Sequence, residues 1–183
     1  MIWIPLVLIV LAVFYVVGTY NAFIALRNSG KNAWSDIDVQ LKRRHDLVPN
    51  LVETVKGYAG HEKTVLEDVT KARAQAVNSG SPQESAEAEN MLSGALKTLF
   101  AVTENYPQLK ADQNFLQLQA QLSEIEDQIQ AARQYYNSTV MALNTKLEMF
   151  PSNIIGSWFK IERMVFFEIT ENSERDAPQV KFT

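Results

Sequence analysis

From Ile2 to Leu26 the chain carries no charged side chain, and the first charge it meets is Arg27. About 25 residues at ~1.5 Å rise span roughly 37 Å as a helix, against a bilayer hydrocarbon core of ~30 Å. The segment predicts a membrane-crossing helix. Beyond it the pattern becomes amphipathic. Trp34, Ile37, Leu41, Val48, Leu51 and Val55 step by three, four, seven, three and four, and Arg44 occupies the skipped slot. That spacing predicts a helix with one cation on its apolar seam. Pro49 inside the pattern predicts a kink or a local end. Gly57 and Gly60 mark a second weak point, either a turn or a bend. Residues 61–78 resume as a helix with Leu66, Val69, Ala72 and Ala76 inward, and Asn78-Ser79-Gly80-Ser81-Pro82 reads as a loop. Residues 83–106 form the next helix, with Leu92, Ala95, Leu99, Val102 and Tyr106 on one face and Pro107 as its stop. The clearest stripe is Phe115, Leu118, Leu122, Ile125, Ile129, Ala132, Tyr136, Val140, Leu143 and Leu147, opened by Asp112 as N-cap and closed by Pro151. It predicts a helix of roughly 38 residues, or ~57 Å.

These elements predict an all-α fold: an N-terminal transmembrane helix followed by an up-and-down antiparallel bundle of three to four long helices. The domain boundaries read as an anchor over 1–26, a helical bundle over 27–150, and an apolar segment with a polar tail over 151–183. In that last part Ile154, Ile155, Trp158, Phe159, Ile161, Val165, Phe166, Phe167 and Ile169 crowd together. Three readings compete: a short helix folded back on the bundle, a membrane-surface contact, or a contact with a neighbouring subunit. Trp158, Phe159, Phe166 and Phe167 are the candidates for self-association or membrane-surface contact. In the final stretch Val180 and Phe182 alternate as in a short extended pairing segment.

Two alternatives to an anchor are weaker. A cleaved signal peptide needs a basic leading region and a small-residue cleavage site; nothing basic precedes Leu6 and no A-x-A pattern follows Val17. A core helix is rarely this apolar on every face. Pro5 sits in the first turn, where its missing N–H costs little. Trp3 and Tyr20 lie near the two ends, as interfacial aromatic residues do. Arg27, Lys31, Lys42, Arg43 and Arg44 all follow the segment, so the positive-inside rule places the bundle on the cytoplasmic side. The 17 Lys+Arg and 21 Asp+Glu leave a net charge of −4, which argues against a nucleic-acid partner. The absence of cysteine fits reducing and oxidising compartments equally.

Catalytic chemistry finds little support. His45 and His61 are the only histidines, and neither stands in an H-E-x-x-H or E-x-x-H pattern. There is no Cys nucleophile, G-x-S-x-G, P-loop or G-x-G-x-x-G. No catalytic residue, cofactor or metal site is expected. Two polar groups remain: Arg43, Arg44, Asp46 and Asn50 near Pro49, and Arg133, Tyr135, Tyr136 and Asn137 on the long helix. The structural reading makes both polar inserts in the bundle seam, fixing register through hydrogen bonds and ion pairs. The functional reading has them bind a partner peptide or an anionic lipid headgroup. Arg44, on a core slot, needs a buried counter-charge, and Glu104, Glu124 and Glu126 all stay open for that role.

Three stretches carry a family resemblance. One runs from Trp34-Ser35-Asp36-Ile37 through Arg43-Arg44-His45-Asp46-Leu47-Val48-Pro49-Asn50, and a second is Glu104-Asn105-Tyr106-Pro107. The third is Ala132-Arg133-Gln134-Tyr135-Tyr136-Asn137. Together they resemble the LemA family of bacterial membrane proteins over about residues 20–160. The resemblance implies an N-terminal membrane helix, a four-helix up-and-down bundle and no established enzymatic activity. A branch with a magnetosome-formation protein implies a part in membrane organisation. Asp112, Asp127 and Ala142 depart from the expected Asn, Asn and Tyr. The expected function is a single-pass, non-enzymatic scaffold or adaptor at the bacterial inner membrane. Its expected partners are lipid through residues 2–26, further copies of the chain and other membrane-associated proteins. The alternative is a membrane-tethered ligand-binding or sensing bundle.

Overall fold

The computed structural model describes residues 3–167. They form α1 (Trp3–Tyr58), α2 (Lys63–Val77), α3 (Pro82–Thr103), α4 (Pro107–Lys110), α5 (Gln113–Glu148) and α6 (Ser152–Trp158). Among the described residues there is no strand, so the fold is all-α as the periodicity predicts. The apolar segment and the first amphipathic helix are one uninterrupted element, because nothing between Ala25 and Lys31 breaks a helix. Pro49 does not end α1 either. The Gly57–Gly60 weak point is a turn: α1 stops at Tyr58, and the Glu62 N–H closes it onto the Ala59 carbonyl at 3.0 Å. The Val180–Phe182 segment lies outside the described residues.

By its contacts the chain forms two units, one from residues 3–39 and 128–166, the other from 40–127 with Phe167. The second is the bundle. Val48, Leu51 and Val55 of α1, Leu66, Val69, Ala72 and Ala76 of α2, Ala88, Leu92, Leu96 and Leu99 of α3, and Phe115 and Leu122 of α5 share one core, with Leu109 of α4 beneath. Links as short as residues 59–62 and 78–81 make consecutive helices antiparallel neighbours. Each fully buried aliphatic side chain here contributes about 1.5–3 kcal/mol. The ends are capped by local chemistry. The Glu84 N–H donates to Ser81 Oγ at 3.2 Å, and Glu84 Oε2 accepts from the Gly80 N–H at 3.1 Å, close to a capping box. Asp112 Oδ1 accepts from the Phe115 N–H at 3.0 Å, the expected N-cap of α5. The inward face of α3 differs from expectation by one position: Leu96 and Thr103 are buried, while Ala95 and Val102 are only partly so. Leucine at 96 outweighs alanine at 95 in burial gain, and that rotates the helix.

In the first unit, α1 leaves its apolar part exposed. Residues 3–15 are all exposed, Phe14 at 71 %. This part of α1 is long and apolar enough to cross a membrane. A core helix would hide such side chains, and left in water each would forgo about 1.5–3 kcal/mol. The segment therefore fits a membrane anchor. Burial begins at Thr19 and Phe23, where α6 folds back: the Gly156 backbone packs on Leu147 and Phe23 so closely that a Cβ there would sit 2.6 Å from Leu147 Cδ2. The chain after α6 is pinned by Asn144, whose Nδ2 donates to the Met164 carbonyl at 2.9 Å and whose Oδ1 accepts from the Met164 N–H at 3.1 Å.

Candidate functional site

Arg44 falls on the buried stripe with Leu41, Val48, Leu51 and Val55, and its side chain is 1 % exposed. A guanidinium there must be compensated. Its Nη2 donates to Glu89 Oε2, and its Nη1 to Ser93 Oγ at 3.0 Å and to Glu126 Oε2 at 2.6 Å. Of the three carboxylates left open by the sequence, Glu126 is the one used; Glu89 was not among them. Glu89 is as buried as Arg44, whereas Glu126 reaches inward from a side chain 48 % exposed. The other Glu89 oxygen lies 2.6 Å from His45 Nε2. An ionised carboxylate requires that nitrogen to carry the proton. Burial pushes the Glu89 carboxyl up, but the His45 hydrogen bond and the Arg44 charge together outweigh it and hold it below its ordinary value.

Pro49 belongs to the same construction. It has no N–H, so the carbonyl four residues earlier, on His45, loses its helical partner. Arg73 of α2 supplies the replacement, its Nε donating to the His45 carbonyl at 2.6 Å. Arg44, His45, Arg73, Glu89 and Glu126 thus tie α1, α2, α3 and α5 together at one level. Beside them opens a pocket of about 460 Å³, walled by Leu96, Phe100 and Leu122 with Lys97, Gln119 and Ser123 at its polar edge.

The remaining predicted residues divide. Arg43, Asp46 and Asn50 are exposed, which corrects their placement in a buried seam. Their spacing of three and four gives them a stripe of their own, turned from the one that holds Arg44. Arg133 and Tyr136 are buried and Asn137 is half-buried, all on α5 in the other unit. Tyr136 donates to the Val165 carbonyl at 2.8 Å and packs its ring 5.6 Å from Trp34; burial pushes its hydroxyl pKa up. Trp158 and Phe159 are exposed and Phe166 is half-buried. Phe167 is corrected as a contact candidate: at 2 % exposure its ring is part of the interior and offers no surface to lipid or a second copy. Among the described residues no group of three or more His, Asp or Glu side chains is placed to hold a metal ion.

A sequence model of the LemA family matches residues 33–182. The chain belongs to the LemA family. The match begins just after the apolar part of α1 and takes in the whole Arg44 network. The protein LemA of Metamycoplasma hominis is 29 % identical over 162 residues, covering 86 % of this chain and 73 % of that one. The magnetosome protein MamQ 2 of Paramagnetospirillum magneticum is 25 % identical over 185 residues, and the magnetosome protein MamQ of Magnetospirillum gryphiswaldense 23 %, each covering 87 % of this chain and 67 % of the relative. LemA-family membership and these relatives fit a membrane-associated helical protein.

Proposed function

We propose that this LemA-family chain is a single-pass, non-enzymatic scaffold, anchored in the bacterial inner membrane by residues 2–26, that self-associates or recruits other membrane-associated proteins from the cytoplasmic side. The observation that carries the reading is the exposed apolar run of α1 leading directly into a bundle helix. The buried Arg44 and Glu89 charges pair with each other, which suits a structural role better than a reactive one. The exposed stripe of Arg43, Asp46 and Asn50 is a surface for recruitment. Two of the relatives are named as magnetosome proteins, which supports a role in membrane organisation. Cells expressing the full chain give the test. Membranes washed in alkaline carbonate should retain the protein, and cross-linking within them should give species larger than the monomer. A freely dissolved chain would overturn the anchor, and monomer alone at native expression would overturn the scaffold. A C-terminal tag should be shielded from protease in intact spheroplasts; its cleavage would reverse the orientation.

A second reading is favoured by the pocket beside Arg44, which makes the bundle a ligand-binding or sensing module. Its apolar walls and the Lys97 ammonium suit a small anion with a hydrophobic tail. Decanoate titrated into the full chain should then raise the unfolding temperature, and Lys97→Gln should abolish the rise.

A further inference from the structure

The apolar run of α1 and the short helix α6 belong to the same unit, and their contact has a geometric consequence. A helix needs about 20 residues to cross the hydrocarbon core. Counted from Trp3, the crossing ends near Ala22. The residues of α1 that hold α6 are the ones at that level: Tyr20, whose ring lies 4.6 Å from that of Phe159, and Phe23, which would meet a Cβ at Gly156 at 3.4 Å. A helix docked there lies at the bilayer boundary. Its inward side chains, Ser152 and Ile155, are buried. Its exposed side chains are Ile154, at 57 %, Ser157 and Trp158, at 75 %, and Phe150 in the turn before it is 79 % exposed. The exposed cations Arg27, Lys31 and Lys160 flank this level.

We infer that α6 and the turn before it form a second membrane contact, with Phe150, Ile154 and Trp158 inserted into the headgroup–acyl boundary beside the point where α1 leaves the lipid. The inference rests on the anchor reading and deepens it. Aromatic side chains favour this layer, and an interfacial helix buries its apolar face about 5–10 Å into it. Lipid is the occupant because the same stretch of α1 that reaches the bilayer edge carries the patch. A single spanning helix is free to rotate about its axis and to tilt. A docked shelf of three apolar side chains fixes both.

The chain has no cysteine, so single cysteines at Phe150, Ile154 and Trp158 can each take a nitroxide label without touching the core. The full chain goes into vesicles of phosphatidylethanolamine and phosphatidylglycerol, with Trp3→Cys as an anchor control and Lys71→Cys as an exposed bundle control. Circular dichroism confirms that each variant keeps its helix content. All three shelf labels should be relaxed by oxygen dissolved in the lipid several-fold more than the Lys71 label, and less by an aqueous nickel chelate. Shelf labels that behave like Lys71 while the Trp3 label reports lipid would overturn the inference and leave the anchor intact. An aqueous signal at all positions would overturn the anchor itself. Labels shielded from both reagents would assign the shelf to a protein surface and overturn the lipid contact.

Discussion

Replacing both members of the Arg44–Glu89 pair should damage the bundle less than replacing either one. Both side chains are 1 % exposed. Removing one partner of a buried ion pair strands the other and costs about 3–5 kcal/mol, whereas exchanging the pair for apolar groups of similar volume is often neutral or stabilising. Arg44→Met strands Glu89 with the His45 imidazole as its remaining hydrogen-bond partner. Glu89→Leu strands Arg44, which still holds Glu126 at 2.6 Å and Ser93 at 3.0 Å, so its cost falls at the lower end. In the double variant Glu126, half in solvent, turns outward. For the double variant to lose less than either single one, the coupling between the two sites must exceed the larger single cost, about 3–5 kcal/mol. For a chain of this size 1 kcal/mol moves the unfolding temperature by ~2–4 °C, so the single variants should lose roughly 6–20 °C and the double variant far less. The assay is thermal unfolding of the full chain in dodecyl maltoside, followed by far-ultraviolet circular dichroism. A double variant that loses the sum of the two single losses would refute the reasoning, because it would make Arg44 and Glu89 energetically independent.

Three further outcomes follow from the same contacts. The Glu89 carboxyl titrates below its ordinary value of 4.5 in the folded chain. Its contribution is therefore complete above that value and is lost as pH falls through the lower folded one; the urea midpoint should drop on acidification below about pH 4.5, and Glu89→Gln should flatten that drop, equal slopes counting against it. Arg73→Ala removes the donor to the His45 carbonyl and should cost about 1.5–3 kcal/mol. In a Pro49→Ala background, where an N–H returns to that carbonyl, the same change should cost measurably less by urea unfolding, and an undiminished cost would show that the two are unconnected. Gly156→Val drives a side chain into Leu147 and Phe23, an overpacking cost of about 1–3 kcal/mol. Limited proteolysis should then cut near α6 faster than in the parent chain, and an unchanged cutting rate would mean that the tight fit at Gly156 is not needed.

What the sequence made legible was angle about each helix axis; what it hid was height along it. Arg44 was readable as a buried cation because Leu41, Val48 and Leu51 set its angle on the helix whatever the partner. The stripes of α2 and α5 were readable for the same reason, as was Asp112 as a cap, since its partner lies three residues away. The counter-charge was not readable, because Glu104, Glu124 and Glu126 differ in height and only the register between helices selects among them. Glu89, 45 residues from Arg44, was missed for a subtler cause. Before Leu92 the buried face of α3 is made of Ser85, Ala86 and Ala88, and small side chains carry too weak a hydrophobic signal to extend the stripe back to position 89. Pro49 was legible as a kink or a local end; the helix does not end there, and the carbonyl it orphans finds Arg73 on another helix. Residues Arg43, Asp46 and Asn50 were grouped with Arg44 by closeness in sequence, where the helical angle separates them. A buried charge on one seam requires an opposite charge at the same height on a facing seam. Charges standing on predicted apolar stripes are therefore best sought in pairs across helices.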